Sequence, residues 1–120
     1  SPLRNAAHLK EALALWSPGI DMLVSVKETN SNPYYVLFEE DKEGFLQNSK
    51  EGNFTRRQDC PKVYEYNGAI YVMSVPAFIN KGIFGFNKKR KFVMSKESSV
   101  DVDDIIDFSL AEILIAERNR

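Results

Sequence analysis

Hydrophobic residues recur at helical spacing near both ends of the chain. Leu9, Leu13 and Trp16 lie three or four positions apart, which predicts an amphipathic helix over residues 5–16 with these side chains on its buried face. The same spacing predicts a last helix from about residue 103 to residue 118. Its expected buried face consists of Ile106, Leu110, Ile113 and Leu114.

Short apolar runs between these helices predict strands. Residues 22–26 are short, mainly apolar and bounded by turn-forming residues, which is typical of a buried strand in a parallel sheet. Further strands are predicted at 34–38, 45–46, 68–73 and 91–94, with a turn at 41–44 and a short helix at 75–80. Strands that alternate with helices predict an α/β layer fold with an open sheet, in which ligands bind beyond the carboxyl ends of the strands.

Two polar segments interrupt this pattern. Residues 47–62 contain Gly52 and Pro61 and are too long for a simple connection, so we expect an arm or long loop that follows a β-hairpin. The basic run at residues 88–91 is expected to form a solvated turn before the next strand.

Composition narrows the classes of protein. With 120 residues, one domain is the default, and the 16 basic and 17 acidic side chains give no general field for nucleic acid or an anionic membrane. The single cysteine, Cys60, excludes an internal disulfide. No apolar run approaches the roughly 20 residues that span a bilayer, and no signal peptide is visible. We therefore expect a cytoplasmic protein without nucleic-acid or membrane partners.

Two carboxylates precede the last helix. In an extended segment Val100 and Val102 can face the core while Asp101 and Asp103 project together on the other side. Two close like charges favour a cation between them, and Mg²⁺ typically takes one or two carboxylates together with phosphate oxygens and water. Acidic residues before and within the first turn of a helix often serve only as caps and dipole partners, and the spacing alone favours this role.

Two further features could bind a ligand. Asn67 offers a donor and acceptors that could read a hydroxyl, and Gly68 allows close backbone approach, although the pair is also typical of a turn that enters a strand. Arg57, next to Arg56 in the polar arm, could clamp a carboxylate or phosphate with its guanidinium, or could simply be solvated.

Several motifs together resemble one family, the acylneuraminate cytidylyltransferases. The resemblance extends along essentially the whole chain. The motifs are Ser1-Pro2-Leu3-Arg4, Val24-Ser25-Val26, Arg57-Gln58-Asp59-Cys60-Pro61, Asn67-Gly68-Ala69-Ile70-Tyr71 and Ser99-Val100-Asp101-Val102-Asp103.

The resemblance implies transfer of a cytidylyl group from CTP to the anomeric hydroxyl of a nonulosonic acid, an acidic nine-carbon sugar, with release of pyrophosphate. It implies a Rossmann-like nucleotidyltransferase fold, of which residues 1–120 would be the C-terminal portion, and a homodimer held by an arm at residues 34–61. It also implies roles for single residues. Asp101 and Asp103 match the catalytic metal pair that binds Mg²⁺, and the residues that match sugar-site positions are Arg57 from the partner subunit, Asn67, Tyr71 and Phe84, the last near the N-acyl group.

Departures from the family leave alternatives open. Glu65 stands where the sialic acid enzymes have arginine, Tyr66 where they have proline and Tyr35 where some have lysine, so the sugar could be a relative such as legionaminic acid. The loop that cradles the triphosphate in the family is missing, so the chain alone is expected to be inactive. Alternative functions are a cytidylyltransferase for an eight-carbon keto-deoxy acid and a non-catalytic dimerisation or sugar-binding module.

Overall fold

The computed structural model describes residues 2–120, which form two compact units. The first unit contains residues 2–27 and Tyr66–Arg120, and the second contains Glu28–Glu65. Among the described residues, no helix is long and apolar enough to cross a membrane.

The described residues form three α-helices and five strands. In chain order they are α1 (Ala6–Ala14), β1 (Met22–Glu28), β2 (Phe38–Glu40), β3 (Leu46–Asn48), β4 (Tyr64–Met73), α2 (Val75–Lys81), β5 (Lys89–Val93) and α3 (Ile105–Arg118). Single 3₁₀ turns lie at Arg57–Asp59, Ile83–Gly85 and Glu97–Ser99.

The main sheet has the strand order β4-β1-β5. Strand β1 is parallel to β5, with Met22 opposite Lys89 and Val26 opposite Val93. Residues 22–26 of β1 are all buried, as expected for a central strand covered on both faces. The predictions of a mixed α/β fold and of a parallel strand at residues 22–26 are therefore confirmed.

Two apolar clusters form the core, one on each face of β1. One is built from Ala12, Leu23, Ala69, Ile70, Phe92 and Met94, with Trp16, Ile20 and Val72 packed against it. The other is built from Met22, Val24, Val26, Ala77 and Phe86, with Met73 packed against it. Successive β1 side chains point to opposite faces of the sheet, so this one strand contributes to both clusters.

The buried faces predicted for the first and last helices are largely wrong. In α1, Leu9 and Leu13 are about half exposed while Ala12 is fully buried, and Trp16 beyond the helix is only partly buried. In α3, Ala111 is buried while the three residues Ile106, Leu110 and Ile113 are exposed and Leu114 is partly buried. Each helix is thus most deeply buried at a small alanine, and most of its large apolar side chains lie on the surface.

A hairpin occupies the second unit, but its first strand starts later than predicted. The carbonyl oxygen of Asn32 accepts from the N–H groups of Tyr35, Val36 and Leu37 at 2.9–3.3 Å, and its Oδ1 accepts from the N–H of Tyr34 at 2.9 Å. These bonds bend residues 33–36 into a turn, so strand pairing begins only at β2. The predicted antiparallel return and the turn before it are confirmed.

The solvated turn predicted for the basic run at residues 88–91 is wrong. Lys89, Arg90 and Lys91 belong to β5 and are exposed there, rather than forming a turn. Among the described strands β5 lies at an edge of the sheet, where charged side chains discourage pairing with other chains.

Candidate functional site

Asn67, on strand β4, lies at the centre of a buried polar cluster. It is 4% exposed, and its Oδ1 accepts from Ser25 Oγ at 2.6 Å and from the N–H of Ala69 at 3.2 Å. Its Nδ2 donates to Ser99 Oγ at 3.0 Å and contacts the sulfur of Met94 at 3.3 Å. The side-chain amide is therefore fully engaged within the protein and joins β1, β4 and the segment before α3.

The cluster places Asp101 beside Gly68. Gly68 has a φ of +71°, a conformation that favours glycine, and Asp101 Oδ2 lies 3.5 Å from the position that a Cβ would take there. Ser99, two residues before Asp101, is held by Asn67 and also donates to the carbonyl of Ser95 at 2.6 Å. Asn67 thus fixes both the glycine and the segment that carries the carboxylate.

The capping role suggested for the acidic cluster falls on other residues. Asp104 is the N-cap of α3, where its Oδ1 accepts from the N–H of Asp107 at 2.8 Å. Asp107 Oδ2 in turn accepts from the N–H of Asp103 at 3.1 Å. The helix start is therefore capped by Asp104 and Asp107, while Asp101 and Asp103 are both exposed just before it.

The carboxylates of Asp101 and Asp103 are suitable ligands for a Mg²⁺ ion that is also bound by substrate phosphates. Among the described residues no three His, Cys, Asp or Glu side chains are close enough to hold a metal by themselves. Two exposed carboxylates match the hard oxygen ligands that Mg²⁺ takes when substrate phosphates and water complete its shell. The pair therefore suits a metal that arrives with a phosphorylated substrate.

A groove of about 590 Å³ runs along the same part of β4. Its lining consists of Arg4, Asn5, Ala6, Leu9, Gly68, Ala69, Ile70 and Tyr71. Arg4 Nη1 donates to the carbonyl of Ala69 at 2.6 Å, which ties the segment before α1 to β4. Tyr71 is 49% exposed and its ring meets that of Tyr66 edge to face at 6.3 Å. The groove thus offers a cation, an aromatic ring and backbone groups to a ligand.

Phe84 projects from the turn between α2 and β5. It belongs to the 3₁₀ turn Ile83–Gly85 and its side chain is fully exposed. An aromatic ring held in water is available for contact with an apolar group of a ligand.

Arg57 belongs to the second unit, whereas the other predicted site residues belong to the first. Its guanidinium carbon lies 5.2 Å from the centre of the Tyr35 ring, within the range of a cation–π contact. The neighbouring Arg56 is engaged differently, since its Nε lies 3.0 Å from Asp59 Oδ2. Of this adjacent pair, Arg56 is thus held in an ion pair and Arg57 rests on an aromatic ring.

Sequence reasoning missed two members of the site. Ser25 and Ser99 complete the hydrogen bonds of Asn67, although both lay inside motifs that carried the resemblance. One signal for Ser25 was available, because a hydroxyl in the middle of an otherwise apolar strand needs a buried partner. The predicted binding roles of Asn67, Tyr71 and Phe84 stay predictions.

Comparison with known proteins gives several relatives, although no family model matches the chain. The chain is 36% identical over 121 residues to the post-translational flagellin modification protein B of Campylobacter coli, covering 99% of the chain and 51% of that protein. It is 37% identical over 98 residues to the CMP-N,N'-diacetyllegionaminic acid synthase of Campylobacter jejuni, covering 81% and 41% respectively. It is 32% identical over 109 residues to the N-acylneuraminate cytidylyltransferase of Streptococcus agalactiae, covering 90% and 26%. The chain thus spans about half or less of the length of these relatives.

Proposed function

We propose, because the chain is related in sequence to the N-acylneuraminate cytidylyltransferases and to a legionaminic acid synthase, that it forms part of a nucleotidyltransferase. The reaction transfers a cytidylyl group from CTP to the anomeric hydroxyl of a nonulosonic acid and releases pyrophosphate. The observation that carries the proposal is that two relatives named for CMP-sugar chemistry match 81% and 90% of the chain.

The sugar is a nonulosonic acid of the N-acylneuraminate type, with legionaminic acid as the alternative. The identities of 37% to the legionaminic acid synthase and 32% to the N-acylneuraminate cytidylyltransferase are too similar to separate the two. Glu65 and Tyr66 change the charge pattern relative to the sialic acid enzymes, which favours a sugar with different polar substituents. Direct comparison of the two sugars as substrates decides between them.

Asp101 and Asp103 are the residues proposed to hold Mg²⁺. When bound with CTP, the ion supplies neutralisation of phosphate charge. The chain's own contribution is orientation, because the Asn67–Ser99 hydrogen bond fixes the segment that carries Asp101 beside Gly68. Tyr71 and Phe84 present exposed rings for the sugar, while the buried Asn67 holds the segments that carry Gly68 and Asp101.

A homodimer is proposed through residues 34–61, with Arg57 serving the sugar site of the partner subunit. The hairpin strands are only three residues long, and Phe45 and Leu46 at its tip are 62% and 68% exposed. A short exposed hairpin has little core of its own, so packing against a symmetric copy is a reasonable way to order it. Arg57 would then clamp the sugar carboxylate across the interface.

The reaction is tested by pyrophosphate release from CTP and Mg²⁺ with N-acetylneuraminate or N,N'-diacetyllegionaminate, in the complete enzyme that contains this chain. We expect release with at least one of these sugars, and no turnover with either would refute the reaction. Calorimetric titration of the purified chain with each sugar and with CTP separates a sugar-binding module from a catalytic one.

The arm is tested by mixing inactive subunits. An Arg57→Ala subunit and an Asp101→Asn subunit are each expected to be inactive alone. If Arg57 acts across the interface, the mixed dimer pairs one intact site with one doubly damaged site, so activity returns to at most about half of wild type per dimer. No recovery after verified subunit exchange, or a monomer by light scattering, would disprove the arrangement.

A further inference from the structure

The turn at residues 82–86, which carries Phe84, is restrained at both of its ends. Helix α2 stops at Lys81, and Gly82 has a φ of +71°, so the chain reverses immediately after the helix. The N–H of Gly85 donates to the carbonyl of Gly82 at 3.1 Å, and that of Phe86 donates to Ile83 at 3.3 Å.

One buried carboxylate connects the two ends of this turn. Asp21 is 5% exposed, and its two oxygens lie 3.1 and 3.2 Å from Lys81 Nζ, just before the turn. Asp21 Oδ2 also accepts from the N–H groups of Asn87 and Lys88, each at 3.1 Å, just after the turn. The same side chain therefore holds the entry and the exit of a five-residue loop.

Asp21 is itself fixed to the sheet. Its N–H donates to the carbonyl of Lys88 at 2.8 Å, and its carbonyl accepts from the N–H of Ser74 at 2.9 Å. The N–H groups of Lys88 and then Asn87, with a further contribution from Lys81, hold the pKa of the Asp21 carboxyl below its ordinary value despite its burial. The carboxylate is therefore charged at neutral pH, and its contacts with Lys81, Asn87 and Lys88 form a clamp on the two ends of the turn.

Burial alone does not require such a clamp. Within the turn, Ile83 is 49% exposed and Phe84 is fully exposed, whereas only Phe86 at its end is part of the core. What the two-ended restraint does fix is the backbone from which the Phe84 side chain projects. A mobile turn would present this ring in many directions, and ordering it on binding would weaken the affinity.

We infer that Asp21, acting through Lys81 and the N–H groups of Asn87 and Lys88, is a positioning residue that pre-orders Phe84 for the acyl sugar. The inference rests on the proposed function, since it takes Phe84 as a sugar contact. It assigns a binding consequence to an ion pair whose two residues both lie outside the predicted site motifs.

The first test measures the turn directly. In the purified protein, Lys81→Met removes the charge but keeps the aliphatic stem, and we expect hydrogen exchange at Gly85–Lys88 to accelerate roughly two- to fivefold, since Lys81 is 43% exposed and its pair is partly screened. The control is Lys62→Met, which removes an exposed ion pair with Glu28 at 3.9 Å in the second unit. Unchanged exchange in Lys81→Met would overturn the inference.

The second test uses the complete enzyme. We expect Lys81→Met to raise the KM for the sugar with kcat and the KM for CTP unchanged, Lys81→Arg to restore the wild-type KM, and Lys62→Met to have no effect. Phe84→Ala should raise the same KM, and adding Lys81→Met to it should raise it no further, because the two act through one contact.

The outcomes separate the two proposals. If Phe84→Ala raises the sugar KM and Lys81→Met does not, the clamp has no role in binding although the proposed sugar contact stands. If Phe84→Ala leaves the sugar KM unchanged, the proposed contact is wrong, and faster exchange in Lys81→Met then shows a clamp that is only structural. Either result overturns the inference.

Discussion

Replacing Asn67 with alanine separates a structural role from a role in binding. The side chain is buried and its amide is engaged by Ser25, Ala69 and Ser99. If the amide of Asn67 serves the fold, its removal should lower the free energy of unfolding even without a ligand. If the amide serves only to bind a sugar hydroxyl, its removal should leave the free energy of unfolding unchanged.

The expected loss follows from what each partner keeps. Ser25 Oγ retains a second acceptor, the carbonyl of Ile70 at 3.2 Å, and Ser99 Oγ still donates to Ser95. The N–H of Ala69 loses the Asn67 Oδ1 acceptor in a buried position, which costs roughly 1–3 kcal/mol, and the lost bonds to the two hydroxyls add about 0.5–1.5 kcal/mol each. Because the bonds are not additive, we expect Asn67→Ala to lower the free energy of unfolding by about 2–4 kcal/mol.

The measurement is urea-induced unfolding followed by tryptophan fluorescence. Trp16 is the only tryptophan, and it packs against the core cluster that contains Ala12 and Leu23, so its emission reports unfolding of the first unit. The control is Asn80→Ala on the exposed surface of α2, which should change stability by less than about 0.5 kcal/mol. If Asn67→Ala is as stable as this control and instead loses sugar affinity, the reasoning from the buried cluster is wrong.

Three further predictions concern the central strand, Gly68 and acid stability. Leu23→Ala, at a fully buried position, should lower the free energy of unfolding by about 2–5 kcal/mol in urea, while Leu13→Ala at a half-exposed position should cost much less; equal losses would contradict the assigned helix face. Gly68→Ala should lower the free energy of unfolding by roughly 1–2 kcal/mol in the same assay. The cost comes from the positive φ alone, because the added methyl group has enough space. An unchanged free energy of unfolding would mean that the backbone relaxes to another conformation. The pKa of Asp21 is lowered on folding, so the charged carboxylate stabilises the fold above its ordinary pKa of 3.8, and this stabilisation is lost as the pH falls below that value. Asp21→Asn should therefore flatten the fall in unfolding free energy over this acid range. Identical pH profiles for the variant and the wild type would contradict the coupling.

The central strand and its parallel pairing could be predicted because burial on both faces requires a continuous apolar run. The faces of the helices could not. A period of 3.6 identifies a helix, but it does not tell whether large or small apolar residues face the sheet. In α1 the buried residue is Ala12, which packs with Leu23 and Ile70 of the sheet, and in α3 it is Ala111.

The hairpin shows the same limit at a local level. Aromatic and β-branched residues at 34–38 predicted a strand from propensity alone. Asn32 overrides this propensity, because its carbonyl and side chain together accept four backbone N–H groups and bend the chain into a turn. An Asn-Pro pair such as 32–33 predicts only a local break, whereas the hydrogen bonds to the Asn32 carbonyl extend to Leu37.

The candidate site was recognised through a resemblance that the relatives confirm, but its internal logic depends on contacts between distant segments. Asn67 meets Ser25 across 42 positions and Ser99 across 32, and no local spacing rule predicts such pairs. The sequence supplied the order of the motifs, but it did not show which side chains connect them.

Two buried polar residues share one physical task in this fold. Asn67 connects β4 to the segment before Asp101, and Asp21 connects the start of β1 to both ends of the turn before β5. In both cases a buried group satisfies backbone or hydroxyl partners on a neighbouring segment and leaves an exposed side chain, Asp101 or Phe84, at a fixed place on the surface. A buried polar group is stable only when its partners are in position, so it specifies one arrangement of the segments it joins more sharply than apolar packing can. These buried polar contacts therefore position the backbone segments from which the two exposed side chains project.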